Sequence, residues 1–114
     1  MGYLSEVNLK YDMPAASQAV RRATYAIENG RRLGAGAVKL IHGYGSHGTG
    51  GKIRVELRAY LERLKRQGRI ADFIPGEDFS IFGEATRAAF AKCPELRRDG
   101  DLERANNGVT IVVL

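Results

Sequence analysis

The chain is expected to fold as an α/β domain, and three observations carry that expectation. Two stretches recur at helical spacing, one from Pro14 to about residue 33 and one over about residues 51–67. Four short apolar segments, at residues 7–9, 37–41, 70–74 and 109–114, stand before, between and after them. A further short helix is predicted over residues 84–92. The order is therefore β-α-β-α-β-(α)-β, which layers helices on a four-stranded mixed sheet as a two-layer sandwich. Right-handed crossovers make the first three strands parallel and put both long helices on one face or split them across two.

Each element has its own reason. Val7-Asn8-Leu9 alternates apolar and polar, as a short strand does. Asp12 or Met13 is placed to cap a helix that Pro14 starts, since proline is tolerated in a first turn. Ala16, Ala19, Val20, Ala23, Ile27 and Gly30 form its inner stripe, and small residues there imply close packing on a sheet. Gly34 and Gly36 are expected to end it. The second helix carries Ile53, Leu57, Tyr60, Leu61 and Leu64 on one face, and Gly68 stops it. Pro75-Gly76 closes the third strand. In the short helix Ala85, Ala88, Ala89 and Phe90 supply apolar contact before Pro94 ends it. Residues 109–114 read VTIVVL, rich in β-branched residues, and are expected to form an internal strand.

A chain of 114 residues suits one domain, residues 1–114, with one modest core. A hydrophobic share of 44% with ordinary charge excludes a disordered chain. No apolar run is long enough for a membrane span and residues 1–12 lack the centre of a signal peptide, so a cytoplasmic location is expected. One cysteine excludes an internal disulfide and a multi-cysteine zinc site, and Cys93 reads as an apolar filler. Lysine and arginine outnumber acids 18 to 13, which favours a polyanionic partner. The excess is local. Lys52, Arg54, Arg58, Arg63, Lys65, Arg66 and Arg69 cluster against Glu56 and Glu62, whereas residues 77–107 hold most of the acids.

That basic cluster begins at the most informative stretch, residues 40–52, which read LIHGYGSHGTGGK. Five of the thirteen are glycine and two are the only histidines, His42 and His47. A strand feeds a glycine loop that opens a helix, and backbone N–H groups in such a place suit a phosphate. Gly43-Tyr44-Gly45-Ser46-His47-Gly48 matches G-x-G-x-x-G, but the chain is too short for a paired dinucleotide fold and the next strand ends Ile74-Pro75 without the expected acid. A Walker loop also fails, because Ile53 follows Gly51-Lys52. His42 and His47, five apart with no carboxylate between them, are poorly spaced for a metal. No metal or other cofactor is expected, and no hydrolase elbow is present. Tyr44 is placed either to stack on a base or to cover the neighbouring strand with its ring.

Ile41-His42-Gly43-Tyr44-Gly45, then Thr49-Gly50 and Ile53-Arg54, resembles the H-G-x-G-(S/T)-G-x-L-R signature of the Smr (small MutS-related) domain. Gly108-Val109-Thr110-Ile111-Val112 resembles the family's closing G-V-T-I-V strand, and Val7-Asn8-Leu9-Lys10 stands where it has L-D-L-H. The resemblance implies a stand-alone member with a fold like the C-terminal domain of translation initiation factor three. It implies DNA or RNA binding, with endonuclease activity in some members. His42, Gly43, Tyr44, Gly45, His47, Gly48, Gly50, Lys52, Arg54 and Arg58 are the binding residues expected here. Two departures stand out. The family's Asp and His are Asn8 and Lys10, and the glycine loop is longer by about four residues. Asn is no base, and Lys is a poor one unless its pKa falls sharply. Asp12 beside His42 is the candidate substitute pair, with Lys10 in the lost position; a helix cap is the other use of Asp12. Two other functions stay open: a pocket for a nucleotide or phosphorylated metabolite, and a protein-interaction surface on segment 77–107.

Overall fold

The computed structural model describes residues 2–12, 14–43 and 49–114, with only the backbone of Thr49 and Gly50. Strand β1 spans Tyr3–Asn8, helix α1 Ala16–Arg32, β2 Ala35–Ile41, α2 Thr49–Arg66, β3 Asp72–Pro75, α3 Glu84–Lys92 and β4 Val109–Val113. Short 3-10 turns occupy Gly76–Asp78 and Pro94–Arg98. The sheet order is β1-β2-β4-β3. β1 and β2 are parallel, while β4 runs antiparallel to both β2 and β3. The first three strands thus point one way and β4 is internal, as expected. No helix among the described residues is long and apolar enough to cross a membrane.

Period-two alternation sorts the sheet into two faces. Val38, Leu40 and Val112 face one way and meet Ala19, Ala23 and Ile27 of α1 with Leu57, Leu61 and Leu64 of α2. Ala37, Ile74, Ile111 and Val113 face the other way and meet Phe79, Phe90, Cys93 and Leu96. The two-layer expectation is therefore corrected to three layers. A strand such as β4, buried at every position, needs cover on both faces, and residues 76–107 supply the second cover. Cys93 is a buried filler in that second core, where burial pushes its thiol up.

Other corrections are local. Asp12 is not the cap of α1: it has a left-handed backbone, φ 62, whereas a cap residue is extended. The helix begins beyond Pro14, at Ala16, and the Ala15 N–H is taken by Gln18 Oε1 at 3.3 Å. Met13 lies outside the described residues. Gly36 does not end α1 but lies within β2, where a Cβ would collide with the Lys92 carbonyl oxygen. On α1 Ala26 is buried and Val20 only half-buried, and on α3 Thr86 is buried while Ala88 is exposed. The periodicity was right in each case, and the stripe is rotated by a fraction of a turn.

A buried ion cluster pins the third layer to the sheet. Lys39 of β2 donates from Nζ to Asp99 at 2.9 and 3.1 Å and also pairs with Asp101, with Glu6 at 3.7 Å. Burial alone lowers the Lys39 pKa, but hydrogen bonds and charge from Asp101 and Asp99 outweigh it and hold it above the ordinary value. Asp101 also accepts from Asn106 Nδ2 at 2.7 Å.

Candidate nucleic-acid interface

With β4 reversed, the C-terminal ends of β1, β2 and β3 share one edge with the start of β4. In open α/β sheets that edge is where ligands bind. Three connections meet there. The Leu9 N–H donates to Ile41 O at 2.8 Å, and the N–H groups of His42 and Gly43 both donate to Gly108 O at 2.9 Å. The glycine loop is thus anchored at its first two residues. Gly43 has φ 80, which an L side chain rarely adopts.

The His42 side chain completes the anchor. It is fully buried, at 0% exposure. Nδ1 lies 3.0 Å from the Gly43 carbonyl oxygen and Nε2 2.9 Å from Thr110 Oγ1. A carbonyl only accepts, so the proton sits on Nδ1 and the Thr110 hydroxyl donates to Nε2. Thr110 in turn accepts from Arg58 Nε at 3.2 Å. Burial, then the positive charges of Arg58 and Arg54, lower the His42 pKa against the pull of the Gly43 and Val109 carbonyls. The imidazole is therefore neutral at physiological pH. In this arrangement both ring nitrogens are engaged within the protein, and neither is free for a phosphate.

Arg58, expected among the phosphate contacts, is engaged elsewhere. It forms a two-pronged ion pair with Glu77 at 2.7 and 2.8 Å and donates to Val109 O at 3.3 Å. Lys52 is exposed and Arg54 half-buried on the first turns of α2, and neither makes an ion pair among the described residues. Lys10 is exposed too, and its Cδ lies 3.4 Å from where a Cβ on Gly43 would stand. Among the described residues, Lys10, Lys52 and Arg54 therefore make no ion pair at this edge. Gly50 belongs to the first turn of α2. Tyr44, Gly45, His47 and Gly48 lie outside the described residues.

No hydrogen bond or ion pair among the described residues joins the candidate catalytic residues His42, Asp12 and Lys10 to one another. Asn8 Oδ1 accepts from the Lys10 N–H at 2.9 Å, so Asn8 shapes the turn after β1. Asp12 is exposed, and no hydrogen bond or ion pair joins it to His42 among the described residues. Nor do those residues bring three His, Cys, Asp or Glu side chains close enough to hold a metal.

Four participants have no such role in the sequence reading: Thr110, Gly108, Glu77 and Arg22. Thr110 left a signal, as the one polar residue in VTIVV. Arg22 left none, yet it reaches from α1 to donate to the carbonyls of Leu9, at 3.2 Å, and Tyr11.

Charge separates the two helical layers. Helices α1 and α2 together carry ten Lys and Arg against three Glu, whereas residues 77–107 carry seven acids against five bases. Positive charge is thus concentrated on the helical layer whose α2 follows the glycine loop in the chain. No protein-family model, curated protein or solved structure matches the chain.

Proposed function

We propose that this chain is an Smr-like, cytoplasmic nucleic-acid-binding domain, with a fold related to the C-terminal domain of translation initiation factor three. The observation that supports it most is the concentration of positive charge on α1 and α2, next to a glycine loop at the C-terminal edge of the strands. Lys10, Lys52 and Arg54 grip phosphates there, and His42 holds the loop in place for them. Binding dominates and cleavage is weak or absent, because Asn8 and Lys10 replace the carboxylate and imidazole that the family would use.

Fluorescence anisotropy with labelled single-stranded, duplex and branched oligonucleotides, at two salt concentrations, tests the proposal. Binding that falls steeply with salt is expected. No binding at low salt to any of them overturns it. A thermal shift of several degrees with one mononucleotide alone would favour the small-ligand reading instead. Nicking of supercoiled DNA and RNA cleavage are to be assayed beside Asp12→Asn and His42→Ala. Robust wild-type cleavage lost in both variants would show a rebuilt nuclease.

One observation favours a protein-interaction reading as the second choice. Phe82 is 84% exposed on a braced turn. Glu103 accepts from Ser80 Oγ at 2.8 Å and the Ile81 N–H at 2.6 Å, and Arg87 donates to Ile81 O at 2.9 Å. Deleting the segment would strip Phe79, Phe90 and Leu96 from the second core, so Phe82→Ser is the usable variant. Loss of a partner with unchanged stability would support this reading.

A further inference from the structure

The exposed side of α1 carries a feature that the glycine loop does not explain. Tyr25 is 72% exposed and Tyr11 is 67% exposed, so two aromatic faces stand open beside arginines. Arg22 stands between them. It donates to the Tyr11 carbonyl, and with Gln18, Arg21 and Tyr25 it lines an open cleft of about 290 Å³. The turn that carries Tyr11 follows β1, at the same edge as His42 and Gly43. The strip therefore starts beside the loop and runs up α1, alternating ring, guanidinium and ring.

This chemistry selects an occupant. A duplex hides its base faces, so exposed rings gain nothing from it beyond what the arginines provide. An unpaired strand offers a phosphate for each guanidinium and a base face for each ring. Asp12 and Glu28 flank the strip at its two ends, while Arg21 and Arg22 occupy its middle. An acidic peptide would satisfy the arginines but leave both rings without a flat partner.

We infer that Tyr11, Arg21, Arg22 and Tyr25 form a stacking track for single-stranded nucleic acid, extending the phosphate site at the glycine loop along α1. The inference rests on the nucleic-acid reading above and adds the class of strand and its path. The rings stack on bases, Arg21 holds phosphate, and Arg22 divides its donors between the turn and the strand.

Anisotropy titrations with a labelled ten-nucleotide strand and its duplex compare wild type with Tyr11→Ala, Tyr25→Ala, the double variant, both Tyr→Phe variants and Lys52→Ala. Each alanine variant should weaken single-strand binding by about 5- to 100-fold and leave duplex binding and the salt slope unchanged. Tyr→Phe should restore affinity, because stacking needs the ring and not the hydroxyl. Lys52→Ala should weaken both substrates and flatten the salt slope. An oligonucleotide carrying 5-iodouracil should photo-crosslink to Tyr11 and Tyr25. If Lys52→Ala weakens binding while both tyrosine variants bind a single strand as wild type does, the track is wrong and the phosphate site stands. If no nucleic acid binds at low salt, both fall. Thermal melts of the variants should match wild type, since both rings project into solvent.

Discussion

Glu77 and Arg58 meet in a two-pronged ion pair, 2.7 and 2.8 Å, that ties the 3-10 turn after β3 to the third turn of α2. Hydrogen bonds from Arg58 hold the Glu77 carboxyl below its ordinary value of 4.5, against the opposing effect of burial. The guanidinium that sequence reasoning assigned to phosphate is therefore already neutralised within the protein. It also closes the chain Arg58–Thr110–His42 that anchors the glycine loop.

Replacing the carboxylate should separate these two uses. Glu77→Gln is expected to cost less than about 1 kcal/mol, because the pair is partly exposed and screened. It should also free Arg58 for nucleic acid and steepen the dependence of log K on log salt by up to about 0.9 for one added phosphate contact. Urea denaturation and salt titrations on the same variant check both.

Acid should loosen the protein through His42. Its folded pKa lies below the ordinary value of 6.5, so between the two values the unfolded chain binds a proton that the folded chain refuses. Stability is then complete above the ordinary value and falls as pH drops through that window. Glu77 adds a second loss of the same sign below 4.5. Denaturation midpoints measured from about pH 7.5 to about pH 4 should fall in two stages. His42→Gln should flatten the first, with His47→Gln as the control.

Lys39 is the ion whose loss should be most damaging. Lys39→Met leaves the Asp99 and Asp101 carboxylates beside an apolar side chain, both drawn from water by the same layer. A destabilisation of about 3–5 kcal/mol is expected in urea melts. Adding Asp99→Leu and Asp101→Asn to that variant should recover part of it, because the penalty lies in the uncompensated charge.

Packing of the third layer is tight at one glycine. Gly36→Ala would set a methyl group against the Lys92 carbonyl at the end of α3, and backbone cannot yield there as a flexible side chain can. A loss of about 1–3 kcal/mol is expected. Gly100→Ala, with open space around it, should be nearly neutral.

The long elements were legible because their cause is local. The stripe Ala16, Ala19, Ala23, Ile27 on α1 and Ile53, Leu57, Leu61, Leu64 on α2 both end up buried at helical spacing. The short helix over residues 84–92 is also where its pattern put it. Element ends were less legible. Strand β1 begins at Tyr3 and β2 at Ala35, earlier than their alternation suggests, because pairing with a neighbour extends a strand past its own pattern. Gly36 reads as a helix stop and is a strand residue, since the contact that requires it comes from Lys92, 56 positions away.

By itself, the sequence determined the order of strands and helices, the place of the glycine loop between β2 and α2, and the crowding of positive charge on α1 and α2. Those properties depend on spacing and composition, which are complete in one dimension. Only the tertiary structure decided the third layer, because a strand buried on both faces demands cover without naming it. Only the structure decided which cations are free. Arg58 and Lys52 look alike as letters, yet Glu77 neutralises one and no described carboxylate pairs with the other. The same holds for His42, whose burial and two partners, Gly43 and Thr110, make it an anchor. A side chain's protonation and reach follow from what surrounds it, and distant segments supply those surroundings.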